Sequence, residues 1–242
     1  MAEQQNELVR LITNIEHYLM QQKDLFGNII YNEKQMPARV PQETTVNYPD
    51  EPWASTTSPD ELNKKIRDCL KCGLGHTRTN FVFGVGNPNA DVMFVGEAPG
   101  ADEDAKGEPF VGRAGQLLNK IIAAVEMKRE DVYICNILKC RPPNNRDPLP
   151  EEMETCTPYL QKQIDLVKPK FIICLGRISA QWLLKTNASL TSLRGKAHDF
   201  QGAKLIVTYH PAALLRNPNW KRPAWDDMKM FKAMYDEVKA KG

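Results

Sequence analysis

Short apolar runs alternating with amphipathic helical patterns predict an α/β fold, a parallel sheet with helices on both faces. Three observations carry this. The runs near 91–96, 131–137, 170–175 and 204–209 are brief and apolar, as strands buried on both faces are. Helical patterns over 114–126, 150–167, 177–185 and 224–240 separate and follow them. The first run, Asp91 to Val95, stops at Gly96-Glu97-Ala98-Pro99-Gly100, an acid-bearing turn. An amphipathic helix follows Pro109-Phe110-Val111-Gly112. Open α/β sheets bind ligands at such strand ends.

The remaining elements follow in order. Leu8, Leu11, Ile12, Ile15 and Leu19 share one face of a helix over 4–26. Residues 27–60 carry Pro37, Pro41, Pro49, Pro52 and Pro59 without periodicity, which predicts a proline-rich linker. The compact domain is expected over 61–242. Its first helix opens at Pro59-Asp60-Glu61-Leu62, with Ser58 as N-cap. Residues 80–86 suit a short edge strand. Gly84-Val85-Gly86 is only a fragment of a dinucleotide fingerprint, because Asn87-Pro88 follows where a helix is needed.

Composition bounds the function. The 242 residues are 42% hydrophobic and 26% charged, as in globular proteins with a real core. The apolar runs fall short of a membrane span. The acidic N-terminus does not resemble a secretory leader, so the cytoplasm is the expected compartment. The net charge of +2 hides an asymmetry. Residues 1–60 hold four basic and nine acidic side chains; residues 190–242 hold ten and five. A basic C-terminal region suits a polyanionic partner.

Each strand end is chemically loaded. Glu97 and Glu103 follow the first strand, and Phe110 comes next. Asn136 ends the second, Gly176-Arg177 follows the third, and His210 follows the fourth. Taken singly, each has a plain structural reading; together, at successive strand ends, they point to one site. The cysteines are a second signal. Cys69 and Cys72 form a CxxC at a helix end, the spacing at which two thiolates reach one metal. Cys140 and Cys156 lie far downstream with fifteen residues between them, which fits a zinc ribbon poorly. An all-thiolate site holds either zinc or an iron–sulfur cluster. Cys135 and Cys174 sit within apolar runs and read as small buried hydrophobes.

Several motifs are informative as an ordered set. They are Gly96-Glu97-Ala98-Pro99-Gly100, Glu103-Asp104, Pro109-Phe110-Val111-Gly112, Asn136-x-x-Lys139-Cys140-Arg141-Pro142-Pro143 and His210-Pro211-Ala212-x-Leu214-Leu215-Arg216. Their order and spacing resemble the family 4 uracil-DNA glycosylases over roughly 62–240. The resemblance implies a three-layer α/β/α sandwich with a four-stranded parallel sheet. It implies a four-iron four-sulfur cluster on Cys69, Cys72, Cys140 and Cys156. It further implies excision of uracil from DNA in base excision repair. The N-terminal helix and linker lie outside it.

The chemistry expected of these residues agrees. A base leaves the stack to be cut, so the enzyme needs a stacking face and an edge reader. Phe110 supplies the face, and the Asn136 amide pairs with uracil O4 and N3–H but not with cytosine. A mismatched buried group costs about 1–3 kcal/mol. His210 donates to O2 and stabilises the leaving anion. Ala98 stands where related glycosylases of another family carry a water-orienting Asp. The catalytic carboxylate is therefore sought in Glu97 or Glu103, and the backbone of Ala98 is expected beside the base. Leu214, Leu215 and Arg216 are expected to wedge into the DNA, one leucine anchoring the loop. Arg141, Arg146, Lys196, Lys221 and Arg222 are candidate phosphate contacts. The expected partner is uracil-containing DNA, bound by a monomer that does not engage a membrane. The N-terminal helix is a candidate dock for a protein. The alternative is a protein on the same fold that binds or traps uracil-DNA with little turnover. A third reading is a zinc- or cluster-bearing interaction domain.

Overall fold

A computed structural model describes residues 51–241. The helix expected over 4–26, and the linker up to residue 50, lie outside the described residues. Six strands form one sheet among them: β1 (Val85–Gly86), β2 (Val92–Gly96), β3 (Tyr133–Asn136), β4 (Phe171–Leu175), β5 (Ala197–Phe200) and β6 (Ala203–Thr208). The order is β1-β3-β2-β4-β6-β5. The central four, β3-β2-β4-β6, are parallel, and β1 and β5 pair antiparallel at the edges.

The expected four-stranded parallel sheet is therefore the centre of a six-stranded mixed one. The physical reason is the composition of the edges. β1 has two residues, and β5 (Ala-His-Asp-Phe) is at most half-buried, so neither carries a buried apolar run. β5 is held by its ladder to β6.

Alternation along the central strands divides the core into two layers. Met93 and Val95 of β2, Ile172 and Cys174 of β4, and Leu205 and Val207 of β6 face one way. They pack with helices α1 (Pro59–Ile66), α4 (Pro150–Val167) and α5 (Arg177–Leu184), and with the turn of helix α6 (Leu190–Leu193). Val92, Phe94, Phe171, Ile173 and Ile206 face the other way, against α3 (Arg113–Ala124) and α8 (Lys221–Lys241). Short helices α2 (Ala101–Lys106) and α7 (Pro211–Arg216) follow β2 and β6. The result is a three-layer α/β/α sandwich.

Ser58 caps α1 as the sequence predicts, accepting from the Glu61 N–H at 3.2 Å. The core begins earlier than residue 61. Trp53 and Thr56, within the stretch read as linker, are buried. The Trp53 ring meets Tyr159 of α4 edge-on, with centroids 5.1 Å apart.

Candidate active site

The order of the parallel strands puts β2 at the centre, where the chain turns to β3 on one side and β4 on the other. Ligand crevices form at such switch points. Gly96 and Asn136 close β2 and β3 as register partners. The ladder continues beyond them, Ile137 N donating to Gly96 O and Leu138 N to Glu97 O, each at 3.0 Å. A Cβ at Gly96 would stand 2.2 Å from Asn136 Oδ1 and 2.7 Å from Phe110 Cζ. Glycine is what lets the Asn amide and the Phe ring meet over this strand end.

Phe110 adopts φ +54°, a left-handed conformation uncommon for a bulky residue. Its neighbours hold it there. Arg129 donates to Pro109 O at 2.6 Å. Glu103 Oε1 accepts from Val111 N at 3.0 Å and Gly112 N at 3.1 Å. Behind it, a Cβ at Gly115 would lie 1.9 Å from Phe110 O, so α3 needs glycine there. Glu103 Oε2 also accepts from Gly100 N at 3.1 Å. Glu103 thus ties the two ends of the 100–112 loop together. Three backbone N–H groups thus bind the carboxylate that the sequence offers as a catalytic candidate.

Asn136 is buried, and its Oδ1 has no hydrogen-bond partner within the protein. Its main-chain carbonyl accepts from Lys139 Nζ at 2.7 Å. Lys139 is fully buried and also donates to Gln163 Oε1. Gln163 in turn donates to Phe83 O at 3.0 Å and the Tyr133 hydroxyl at 3.1 Å. The sequence marks Lys139 only as part of a motif, with no role, and does not mark Gln163, since a lysine in a loop and a glutamine in a helix look solvated. The apolar residues around each were the available signal.

His210 is the N-cap of α7, and its Nδ1 accepts from Ala212 N at 3.2 Å. That bond places the imidazole proton on Nε2. Burial, and then the charge of Arg216, pull its pKa down to about 4. The ring is a neutral donor at neutral pH. It lies 5.5 Å from the Phe110 ring, centroid to centroid. Gly176, at φ +97°, packs against it; a Cβ there would stand 3.1 Å from His210 Cβ. Phe110, Asn136 and His210 therefore share one strand-end site.

Glu97 begins the loop after β2. Burial first, and then the nearby Asp147, push its pKa up to about 7 against the opposing charge of Arg177. Ala98, the next residue, is half-buried. A cleft of about 520 Å³ at the opposite, amino end of the strands is lined by Asn87, Asp91, Asp131 and Lys232, and by none of the expected site residues.

Comparison with known proteins assigns the fold to a family. The family model described as "Uracil DNA glycosylase superfamily" matches residues 83–229. The chain belongs to the uracil DNA glycosylase superfamily. A protein of Archaeoglobus fulgidus named "Type-4 uracil-DNA glycosylase" is 47% identical over 178 residues, covering 70% of this chain and 89% of that protein. Type-4 uracil-DNA glycosylases of Sulfurisphaera tokodaii and Thermotoga maritima are each 44% identical, covering 72% and 64% of this chain and 84% and 82% of their own lengths. Phe110, Asn136 and His210 all fall within the superfamily match, as does α7.

α7 divides the residues expected to meet DNA. Leu215 and Arg216 are exposed, and Leu214 is buried. Leu214 is thus corrected from a DNA contact to an anchor, because the turn of α7 takes its side chain out of solvent, at 2% exposure.

The four cysteines expected to act together come from three parts of the chain. Cys69 and Cys72 lie in the turns after α1, Cys140 follows β3, and Cys156 sits within α4. All four pack in one core layer. Cys69 and Cys72 act electrostatically on Cys140, and Cys140 and Cys69 on Cys156. Arg78 Nη1 donates to Cys140 Sγ at 3.3 Å, and the Tyr159 hydroxyl to Cys69 Sγ at 3.2 Å. The Lys139 main-chain N–H bonds Cys156. Among the described residues, no three His, Cys, Asp or Glu side chains converge as ligands of a single metal ion. Cys135 and Cys174 are fully buried in β3 and β4.

Proposed function

We propose that this protein hydrolyses the N-glycosidic bond of uracil in DNA, the first step of base excision repair. One observation carries the reading. A stacking ring, an amide with an orphan acceptor and a neutral imidazole donor meet at the strand ends. Phe110 stacks on the everted base. Asn136 Oδ1, unpartnered in the protein, accepts N3–H of uracil, and its amide donates to O4. Cytosine presents an acceptor at N3 and a donor at position 4, so both contacts fail.

His210 Nε2–H donates to O2. As the C1′–N1 bond breaks, its electron pair passes to uracil, and the donor stabilises the charge that develops on O2. Water adds to C1′ of the cationic sugar and releases a proton. Glu97, with its pKa near neutrality, is the acceptor for that proton. Glu103 acts by holding Phe110. Leu215 fills the gap left by the base, and Arg216 meets phosphate.

The donor set of the four cysteines fits a [4Fe–4S] cluster. The four cysteines lie in or against one core layer, with Arg78, Tyr159 and the Lys139 amide directed at sulfur. Cys69, Cys72, Cys140 and Cys156 would hold it. When bound, the cluster supplies a covalent tie among α1, the β3 loop and α4. The protein acts as a monomer in the cytoplasm, and residues 1–26 dock a protein partner. Because Trp53 is part of the core, deletion of residues 1–50 leaves excision intact, and deletion to 60 destabilises the domain.

The test is incubation with a uracil-containing oligonucleotide followed by alkali. Strand cleavage is expected, and His210→Ala and Asn136→Ala each reduce it about 10²–10³-fold. Binding without cleavage, or a stable adduct, contradicts the proposal.

A further inference from the structure

The Tyr209–Trp220 stack lies outside the pocket, and nothing in the excision chemistry explains it. Tyr209 immediately precedes His210. Its ring lies parallel to the indole of Trp220, with centroids 5.0 Å apart and 14° between planes. The Arg194 guanidinium sits 4.2 Å from the Tyr209 ring centroid. Arg194 is itself fixed. It pairs with buried Asp227 at 2.7 Å and donates to Pro223 O. Asp227 accepts from Thr208 Oγ1 at 2.8 Å, which returns the network to the end of β6. Trp220 N also donates to Asn217 O at 3.2 Å. The indole is thus a rigid outer end of a stack rooted in the core, yet it is 39% exposed.

Its surroundings are apolar and basic. Leu215 and Trp225 are also exposed large hydrophobics, at 38% and 40%. Between 215 and 225 the chain carries Arg216, Lys221 and Arg222, all exposed, and no acid. A lone exposed aromatic needs no explanation. Exposed aromatics interleaved with cations, continuous with the α7 wedge, form the surface that unpaired nucleic acid uses: phosphates meet the cations and bases stack on the rings.

We propose that the exposed indole of Trp220 is a stacking platform for an unpaired nucleobase flanking the uracil on the substrate strand. This rests on the excision reading, since it places DNA across α7. Arg194 and Asp227 are positioning residues that hold Tyr209 beneath the platform. A preference for unpaired flanks follows, because a base still paired within a duplex does not offer its face.

The experiment compares wild type, W220A, W220F and W220L on a single-stranded uracil oligonucleotide and on the same sequence as duplex. For W220A, KM on the single strand rises about tenfold, the size of one base–aromatic stack, with kcat held within about twofold. The rise is smaller on duplex. W220F recovers most of the affinity and W220L does not. An unchanged KM in a W220A protein of unchanged Tm overturns the proposal, and a partner protein then becomes the occupant of the patch. Equal performance of W220F and W220L also overturns it, and this comparison decides alone if W220A does not fold. A fall in kcat at constant KM shows instead that Trp220 props His210 through Tyr209. Fluorescence anisotropy with a labelled thymine oligonucleotide runs beside these assays. If wild type excises nothing, the excision reading fails, and the anisotropy ratios of W220F and W220L still judge the platform.

Discussion

Asn136, at the end of β3, and Cys140, four residues on, treat buried polarity in opposite ways. At Asn136 the fold leaves an acceptor without a partner. At Cys140 the fold supplies a donor in advance, Arg78 Nη1 at the sulfur. An orphaned buried polar group costs roughly 1–3 kcal/mol and persists where something transient completes it. Donors gathered around thiols suit something that stays. The contrast separates an acceptor that the protein leaves unfilled from a thiol that it already supplies with a donor. Lys139 joins the two, with its ammonium on the Asn136 carbonyl and its amide on Cys156.

Four substitutions separate the roles of these residues. The largest effect is expected for Asn136→Leu, which keeps the volume and removes the orphan acceptor. Excision falls about 10³-fold while thermal unfolding holds or rises by a few degrees. A parallel loss of both would show that Asn136 serves the fold rather than the base.

Cys156→Ala tests the other side. Absorbance in the visible and bound iron are lost, and Tm falls by about 10 °C, as for removal of a tightly bound constituent. Stoichiometric zinc in the colourless wild-type protein would refute the cluster.

Lys139→Met probes the bridge. It leaves Asn136 O and Gln163 Oε1 without their donor, so a Tm loss of roughly 5 °C and a partial fall in excision should come together. Either change without the other uncouples the two regions.

The smallest effect belongs to Glu97→Gln. The folded pKa near 7 exceeds the ordinary 4.5, so the native state holds its proton more tightly than the unfolded chain does. Stability is full below about 4.5 and declines as pH rises through 7. The Gln variant lacks that decline. Its Tm should exceed wild type at pH 8 and match it at pH 5, and the rise of the wild-type excision rate through pH 7 should flatten.

Much of the site was legible before the fold was. Strand-end loops carrying Glu97, Phe110, Asn136 and His210 are readable because a buried parallel strand is a continuous apolar run, and its end is a break in that run. The partners of Glu103 were hidden for the same reason. A carboxylate in a glycine-rich loop reads as available, and only the folded loop shows Val111, Gly112 and Gly100 N–H groups converging on it. Leu214 and Leu215 are chemically identical in sequence; the turn of α7 buries one and exposes the other. Strand β5 was missed because an edge strand with His198 and Asp199 need not be apolar, its pairing to β6 being made by main-chain atoms.

The sequence alone therefore determined the α/β class, the central strands and the placing of Phe110, Asn136 and His210 at strand ends. These follow from local periodicity and from chemistry carried by single side chains. Tertiary structure alone decided that Asn136 Oδ1 would stand unpartnered and that His210 would be a neutral Nε2 donor. It likewise decided that Lys139 would be buried and that Trp220 would rest on Tyr209. Those properties depend on which distant groups exclude water and which supply a hydrogen bond, and chain neighbours do not set either.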